Sequence, residues 1–524
     1  MLSENSFKTE VPGNITSQGY CFNGSNLLCD NEIAELFTQV VDFKAFWLIN
    51  SQINGIYSIY IRVTNEIWLY VSPGGFHKLY YSKTDSGYTI SKRAGDLFDG
   101  HLDEESILEY RSSLFCWGNK TLYKNVFSVE PGNAVLVAES FIETKKLFSY
   151  AVNASEIFTQ SFEQLKLNGK KVFDNVTDRM ISFLGGRQAV VPLSGGYDSR
   201  FVLSALVSKG YRNIVAVTYG IKEVPEFTNA QKVALKLGIT WYFIPYTEDM
   251  LNELLQSFDL DSYFDYMVNG NSFPSMHEMI ALSYLKSNRL IELNAVFIPG
   301  HSGDMLGGSQ YIKAFETNLK YNQISLQLLN KKFDPSFYSK SDFLKKKLEI
   351  SALVEKSYPS DLVPTTIYED IDMSEKLSKH ILNSSNAYVY YGYSCYFPYW
   401  DKELIEFFRH VPVTFKMEKR LYNTILKEYF FDKLSISFEQ ELHPSLFKMK
   451  AQNIKNQIKK FLPKKILYHF TRKNDYYLYH QITSKWREEM EKKGFITKGT
   501  HFNYNSLIAQ WVIYKMKNQV NFSE

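Results

Sequence analysis

The segment Val191-Pro192-Leu193-Ser194-Gly195-Gly196-Tyr197-Asp198-Ser199 constrains the fold more than any other stretch. An apolar run over residues 189–193 predicts a buried strand. After the glycines, Phe201, Val202, Ala205 and Leu206 have helical spacing. A strand, a Gly-Gly turn and a helix start, in that order, build an anion site. Backbone N–H groups and the positive end of the helix dipole point at whatever binds there. The two glycines allow backbone conformations that other residues resist, and they let a phosphate come close. Asp198 places a carboxylate beside those phosphates, which calls for a metal ion between the two negative charges. The loop lacks a Gly-Lys-Ser/Thr ending and is not a Walker A sequence. A strand-to-helix turn that merely needs two glycines is the competing reading.

Around this loop, strands and helices alternate. Residues 214–219 predict a strand, 227–237 a helix closed by Gly238, and 240–244 another strand. A further strand over 295–299 runs into the loop Gly300-His301-Ser302-Gly303-Asp304. Such alternation argues for a parallel sheet covered on both faces. Ligands of such sheets sit beyond the carboxyl ends of the strands, at a switch point. Residues far apart in sequence can therefore share one ligand. Leu165, Val172, Val176, Met180 and Ile181 predict a helix leading into the first loop. The opening part reads differently. Residues 56–63 and 67–71 predict neighbouring strands across Thr64-Asn65-Glu66, with further strands over 79–82 and 88–91 beyond Pro73-Gly74-Gly75.

The expected fold class is therefore α/β. A β-rich layered domain occupies residues 1–155, a parallel-sheet domain 156–440, and a basic, mainly helical extension 441–524. At 524 residues the chain has length for two or more cores. Its net charge of +3 selects no partner class. Cys21, Cys29, Cys116 and Cys395 lack metal-ligand spacing and read as buried or incidental thiols of a reducing compartment. No apolar run reaches spanning length and no signal-peptide pattern opens the chain, so a cytoplasmic protein without membrane insertion is expected. Lys448, Lys450, Lys455, Lys459, Lys460, Lys464 and Lys465, followed by Tyr468, Phe470, Tyr476, Tyr477 and Tyr479, admit a nucleic-acid reading. A helical appendage with solvated lysine faces is preferred, because Glu488, Glu489 and Glu491 dilute the basic patch. No nucleic-acid partner is expected.

The Ser-Gly-Gly-x-Asp-Ser loop resembles the PP-loop of the N-type ATP pyrophosphatases, and within them the chain is similar to the asparagine synthetase family. Four segments carry the likeness, in the family's order. They are Leu193 with the loop itself, the stretch from Tyr219-Gly220 to Ala234, the stretch Phe297 to Gly308, and Phe397-Pro398-Tyr399-Trp400-Asp401 with Leu404. Val411-Pro412, Lys416 and Lys419 follow the last. The resemblance implies ATP along Leu193, Ser194, Gly195, Gly196 and Ser199, with Gly300 close by. It implies Mg²⁺ on Asp198 and Asp304, although a turn or helix cap also suits Asp304. Tyr219 and Gly220 match positions that pack adenine or ribose, although a strand-end tyrosine is commonly core. Lys419 resembles the family's lysine that neutralises pyrophosphate, with Lys416 or Arg420 as the counterpart in a shifted register. His301 stands where the family carries a glutamate and is the candidate base. The segment from Asn269 to Glu278 reads equally as an acceptor pocket or as a loop and helix start at Pro274-Ser275.

The resemblance extends forward to Asn54-Gly55, Gly75 to Tyr81, Leu102-Asp103-Glu104-Glu105 and Val129-Glu130-Pro131-Gly132, which look like the family's glutaminase domain. The family's glutaminase uses an N-terminal cysteine, whereas this sequence reads Met1-Leu2-Ser3-Glu4, and Ser72 stands where an aspartate is common. A serine hydroxyl is a poor substitute for a thiol. The expectation is an ATP-dependent, AMP-forming amide ligase with a glutaminase-like domain that lacks glutaminase activity. It would join ammonia or an amine to a small-molecule carboxylate, such as a sugar acid. A homodimer is compatible with this reading. A nucleotide-binding pseudoenzyme or scaffold is the alternative, opposed by the intact Asp198 and Asp304. RNA modification is opposed by the N-terminal likeness.

Overall fold

The computed structural model describes residues 14–63, 66–84, 87–138, 141–221, 227–310, 319–438, 475–498 and 502–521. Ser3, the Thr64-Asn65 turn, the stretch Lys222 to Glu226 and the lysine-rich run with Tyr468 and Phe470 lie outside the described residues.

The first half is a stack of layers. Strands β1 (Ile15–Asn23), β2 (Asn26–Cys29), β3 (Asn54–Val63), β4 (Glu66–Val71), β8 (Asn133–Val137) and β9 (Ile142–Lys146) form an antiparallel sheet in the order β2-β1-β3-β4-β8-β9. Strands β5 (Tyr80–Thr84), β6 (Gly87–Ser91) and β7 (Val126–Ser128) form a second, smaller sheet. β3 is buried along nearly its whole length, because both of its faces are covered. Tyr57, Ile59 and Ile61 pack with Phe46 of the helix Phe43–Gln52, together with Trp68 and Tyr70 of β4. Tyr60 points the other way and joins Leu69, Val71, Tyr81 and Ile90 between the two sheets. Period-two alternation thus sorts one strand between two cores. Each fully buried side chain of this size contributes about 1.5–3 kcal/mol.

The second half is built on a parallel sheet of β10 (Ala189–Pro192), β11 (Ile214–Gly220), β12 (Thr240–Pro245), β13 (Val296–Phe297) and β14 (Ser394–Cys395). Its order is β12-β11-β10-β13-β14. Connections from β10 run outward to β11 and β12, and the next strand returns to the opposite side of β10. The order therefore reverses between β10 and β13, and a crevice opens beyond the carboxyl ends of these two strands. The strand expected over 295–299 pairs only at Val296–Phe297, because Pro299-Gly300 turns the chain away.

The layers and the sheet are tied together at a dense seam. Asp401 caps the helix Lys402–Arg409 by accepting from the Glu403 N–H (3.0 Å). The same carboxylate takes both arms of Arg179, at 2.6 and 2.9 Å, and the Asn54 amide at 3.0 Å. Tyr20 stacks on Tyr396, and its hydroxyl oxygen accepts from the Phe397 N–H (3.1 Å). Lys78 reaches across to Asn271 (3.1 Å), Ser272 and Asn383 (3.2 Å). Burial pushes this lysine down to about 7. The Asn269-to-Ser272 part of the expected acceptor segment therefore belongs to the seam, and the helix that follows starts at Met279 rather than at Pro274-Ser275.

The helices Tyr479–Lys492 and Tyr504–Asn521 form a pair, in which Trp486 stacks on Trp511 at 5.2 Å. They are not a detached appendage, since Phe264 packs edge-on against Trp486. Among the described residues, no helix is long and apolar enough to cross a membrane.

Candidate functional site

The loop after β10 is shaped by contacts that few residue types allow. Gly195 has φ +73°, and a Cβ there would lie 2.5 Å from the Asn229 Cβ. The buried Arg200 guanidinium donates to the Gly195 carbonyl (2.5 Å) and to the Ile436 carbonyl (3.1 Å), which pins the loop from behind. Ser194 and Ser199 hydroxyls meet at 3.2 Å, and Ser194 Oγ accepts from the Gly196 N–H at 3.3 Å. The helix Tyr197–Ser208 begins at Gly196 without a side-chain cap, so its positive end faces the crevice. Leu193 is buried beneath, with its N–H on the Val217 carbonyl (2.8 Å).

The loop after β13 arrives from the other side of the switch point. A Cβ on Gly300 would lie 2.5 Å from the Ser199 nitrogen and 2.6 Å from its Cα. The Asp304 N–H donates to Asp198 Oδ2 at 2.9 Å. Gly300→Ala is expected to cost about 1–3 kcal/mol, because backbone atoms on both sides must move. Urea denaturation measures this; an unchanged midpoint would mean that the two loops move independently.

Asp198 is the centre of the arrangement. Its Oδ1 accepts from the Tyr422 hydroxyl (2.6 Å), and its carbonyl accepts from the Tyr399 hydroxyl (2.9 Å). Burial, then the neighbouring Asp304 carboxylate, push it up to about 7, while Tyr422, the Asp304 N–H and Lys419 pull the other way. Two carboxylates forced together in a half-buried crevice fit the demand of a divalent cation for oxygen ligands. Tyr399 and Tyr422 were invisible as site residues in the sequence. Tyr399 lies inside the Phe397-to-Asp401 match and Tyr422 three positions after Lys419, and these placements were the available signal.

Lys419 is half-buried and follows Glu418 in a pair of left-handed residues, with φ 54° and 59°. Each such residue costs roughly 1–2 kcal/mol. The pair is held from one side by Lys416, whose ammonium is buried against Glu369 (2.5 Å) and Tyr150 (2.9 Å). Arg420 is exposed and lies over the Phe162 ring at 4.6 Å. Of the three candidate cations, the geometry brings Lys419 towards Asp198 and commits Lys416 elsewhere.

His301 leaves the loop between Gly300 and Ser302. Its Nε2 meets the Ser385 hydroxyl at 2.8 Å, and its buried Nδ1 makes no hydrogen bond among the described residues. Burial pushes it down to about 4, so the ring is neutral at physiological pH. Ser302 has φ 80° and accepts from the Trp400 indole at 3.2 Å. Tyr219 and Gly220 end β11 next to the loop after β10. The Tyr219 ring faces Tyr246 at 5.9 Å and Tyr477 at 6.2 Å.

A family model described as asparagine synthase matches residues 174–495. The chain belongs to the asparagine synthase family. That membership makes it one of the ATP-using ligases that form amides. No curated protein matches the chain. Among solved structures, an NMN synthetase from Francisella tularensis aligns at 15% identity over 42% of this chain and 97% of that one, with TM-score 0.21. An NH3-dependent NAD synthetase from Campylobacter jejuni subsp. jejuni aligns at 16% over 42% and 97%, with TM-score 0.22. A glutamine phosphoribosylpyrophosphate amidotransferase from B. subtilis aligns at 10% over 55% and 61%, with TM-score 0.19. Likenesses this low leave the chemistry to the asparagine synthase match and the crevice. The match begins in the helix Phe162–Leu184 and ends beyond the helix Tyr479–Lys492, so it contains every residue of the crevice and the Tyr477–Tyr479 segment.

Proposed function

We propose that the protein is an AMP-forming ligase that activates a small-molecule carboxylate with ATP and passes the acyl group to ammonia or an amine. The division at residues 155 and 440 is part of this reading, supported by the change from antiparallel to parallel sheet across the helix Phe162–Leu184. The observation that carries the reading is the convergence on Asp198. The helix start, Asp304 and Lys419 meet there at the switch point of a parallel sheet.

Leu193, Ser194, Gly195, Gly196 and Ser199 would cradle the phosphates of ATP, with Gly300 leaving room and Tyr219-Gly220 flanking the nucleoside. Asp198 and Asp304 would hold magnesium, which when bound neutralises phosphate charge. Lys419 stabilises the charge that grows on the departing pyrophosphate, a benefit larger in the transition state than in the ground state. His301 is neutral and its Nδ1 makes no hydrogen bond among the described residues, so it can take the proton that the nitrogen of neutral ammonia or of an amine sheds once it has attacked the acyl carbon and AMP departs.

The amine source in this reading is not the protein's own glutaminase. Cys21 is buried, with its thiol pushed up to about 12. Burial raises Cys29, Cys116 and Cys395 as well. None of the four is a poised thiolate. Ser72 is buried and spends its oxygen on the Tyr57 N–H (2.8 Å).

The test is ATP–pyrophosphate exchange with a panel of sugar acids and amino acids. Carboxylate-dependent exchange is expected. Lys419→Met is expected to lower kcat about 100-fold with KM for ATP within a few-fold. Measurable ATP binding without exchange for any acid would favour a pseudoenzyme of the same fold. Glutamine-dependent product from the purified protein alone would overturn the reading of its first domain.

A further inference from the structure

A second polar cluster lies beside the crevice, at the carboxyl edge of β11 and β12. Glu278 is buried and stands before the first residue of the helix Met279–Ser287, yet its carboxylate does not cap that helix. Its Oε2 accepts from the Ser275 hydroxyl (3.2 Å), and its Oε1 faces His277 Nε2 at 3.4 Å. Among the described residues, no lysine or arginine forms an ion pair with it. His277 Nδ1 in turn meets the Tyr479 hydroxyl at 2.9 Å.

Several tyrosine hydroxyls lie within electrostatic reach of this carboxylate. Its charge bears on the hydroxyls of Tyr219, Tyr246, Tyr263, Tyr388 and Tyr479. Tyr477 adds a ring 5.6 Å from His277 and 6.4 Å from Tyr246. The segment that supplies Tyr477 and Tyr479 is docked by the Ile221 N–H on the Tyr476 carbonyl (2.9 Å). His277, Tyr477 and Tyr479 are half-buried, so each keeps part of its side chain exposed. The cluster also adjoins the first crevice, because Tyr219 ends β11 there.

A buried carboxylate held by a serine hydroxyl and a histidine, with no lysine or arginine on it among the described residues, attracts a cation, and rings with electron-rich faces favour the same ligand. We propose that Glu278, His277 and Tyr479, walled by Tyr219, Tyr246 and Tyr477, form a binding site for a primary ammonium group carried on an organic substrate. The proposal rests on the ligase reading and names its amine. Free ammonium would satisfy Glu278 but leave the ring faces without an apolar partner, so the walls select for a carbon body on the amine. Tyr479 fixes the orientation of His277 and is a positioning residue. The C-terminal segment thereby completes a site whose acid and histidine come from the middle of the chain.

The experiment titrates the full-length protein with butylammonium chloride and with ammonium chloride at constant ionic strength, by calorimetry. ATP binding is measured separately by equilibrium dialysis. Butylammonium is expected to bind saturably and at least about tenfold more tightly than ammonium. Glu278→Gln is expected to weaken it at least about tenfold while ATP binding stays within twofold. Tyr479→Phe keeps the ring, releases His277 and is expected to weaken butylammonium about three- to tenfold; it decides the matter if Glu278→Gln does not fold. Equal affinity for the two cations would overturn the proposal, as would unchanged butylammonium binding in either folded variant. A wild-type protein that binds butylammonium but not ATP would sink the ligase reading and leave the ammonium site standing.

Discussion

Asp198→Asn is expected to abolish carboxylate-dependent ATP–pyrophosphate exchange, by at least about 100-fold, and at the same time to stabilise the metal-free protein. Burial and Asp304 push Asp198 up to about 7 in the folded chain, from an ordinary value of 3.8. The folded state therefore keeps a proton that the unfolded chain has lost across roughly pH 4 to 7. Stability supplied by that proton is complete below pH 4 and is lost as pH rises through 7. Asparagine carries no charge, and it can still accept from the Asp304 N–H or from Tyr422. The gain in melting temperature over wild type, measured in EDTA, should grow from pH 5 to pH 8. An equal gain at both values, or a loss at pH 8, would contradict this account of the crevice. Loss of exchange without stabilisation would point to a ligand role for Asp198 that is free of strain.

Lys416→Met is expected to destabilise the protein by about 3–5 kcal/mol, because it strands the Glu369 carboxylate in the interior. Both partners are essentially inaccessible to solvent, at 1% and 0% side-chain exposure. Glu369 also accepts from Gln310 at 2.8 Å, so that contact loses its geometry as well. The double variant Lys416→Met/Glu369→Leu should recover most of the loss, since removing both charges removes the desolvation cost. Urea denaturation of the wild type, both single variants and the double variant completes the cycle. A double variant as unstable as the single would show that the surrounding network, not the stranded charge, sets the cost. Exchange activity should stay low in the double variant even when it is stable, because the left-handed turn at Glu418-Lys419 has lost its anchor.

The sequence was most legible where local chemistry and tertiary structure agree. The helix Phe227–Leu237 and the strands β11 and β12 lie within a residue of where periodicity put them. The loops after β10 and β13 were visible because glycine and aspartate in a fixed order serve few purposes. What stayed hidden are contacts made at long range by residues that look like core. Tyr399 and Tyr422 hold Asp198 from elements some two hundred positions away, yet as aromatics they are ordinary interior residues until their hydroxyls are placed. Ser385 behind His301 gave no local signal for the same reason. The polar stretch from Asn269 to Glu278 divides between two tasks, seam at its start and carboxylate cluster at its end, and no periodicity marks that boundary.

The seam has a bearing on what selection can discard. Asp401 answers at once to Arg179, to Asn54 and to its own helix, and Lys78 is anchored wholly on residues of the other half. A layer wired into its neighbour in this way is retained for the mass and shape that it contributes, whatever becomes of its own catalysis. Drift in the first domain is therefore closed at Tyr20, Asn54 and Lys78. The N-terminal layers thus serve as a brace for the second half that the chain cannot shed.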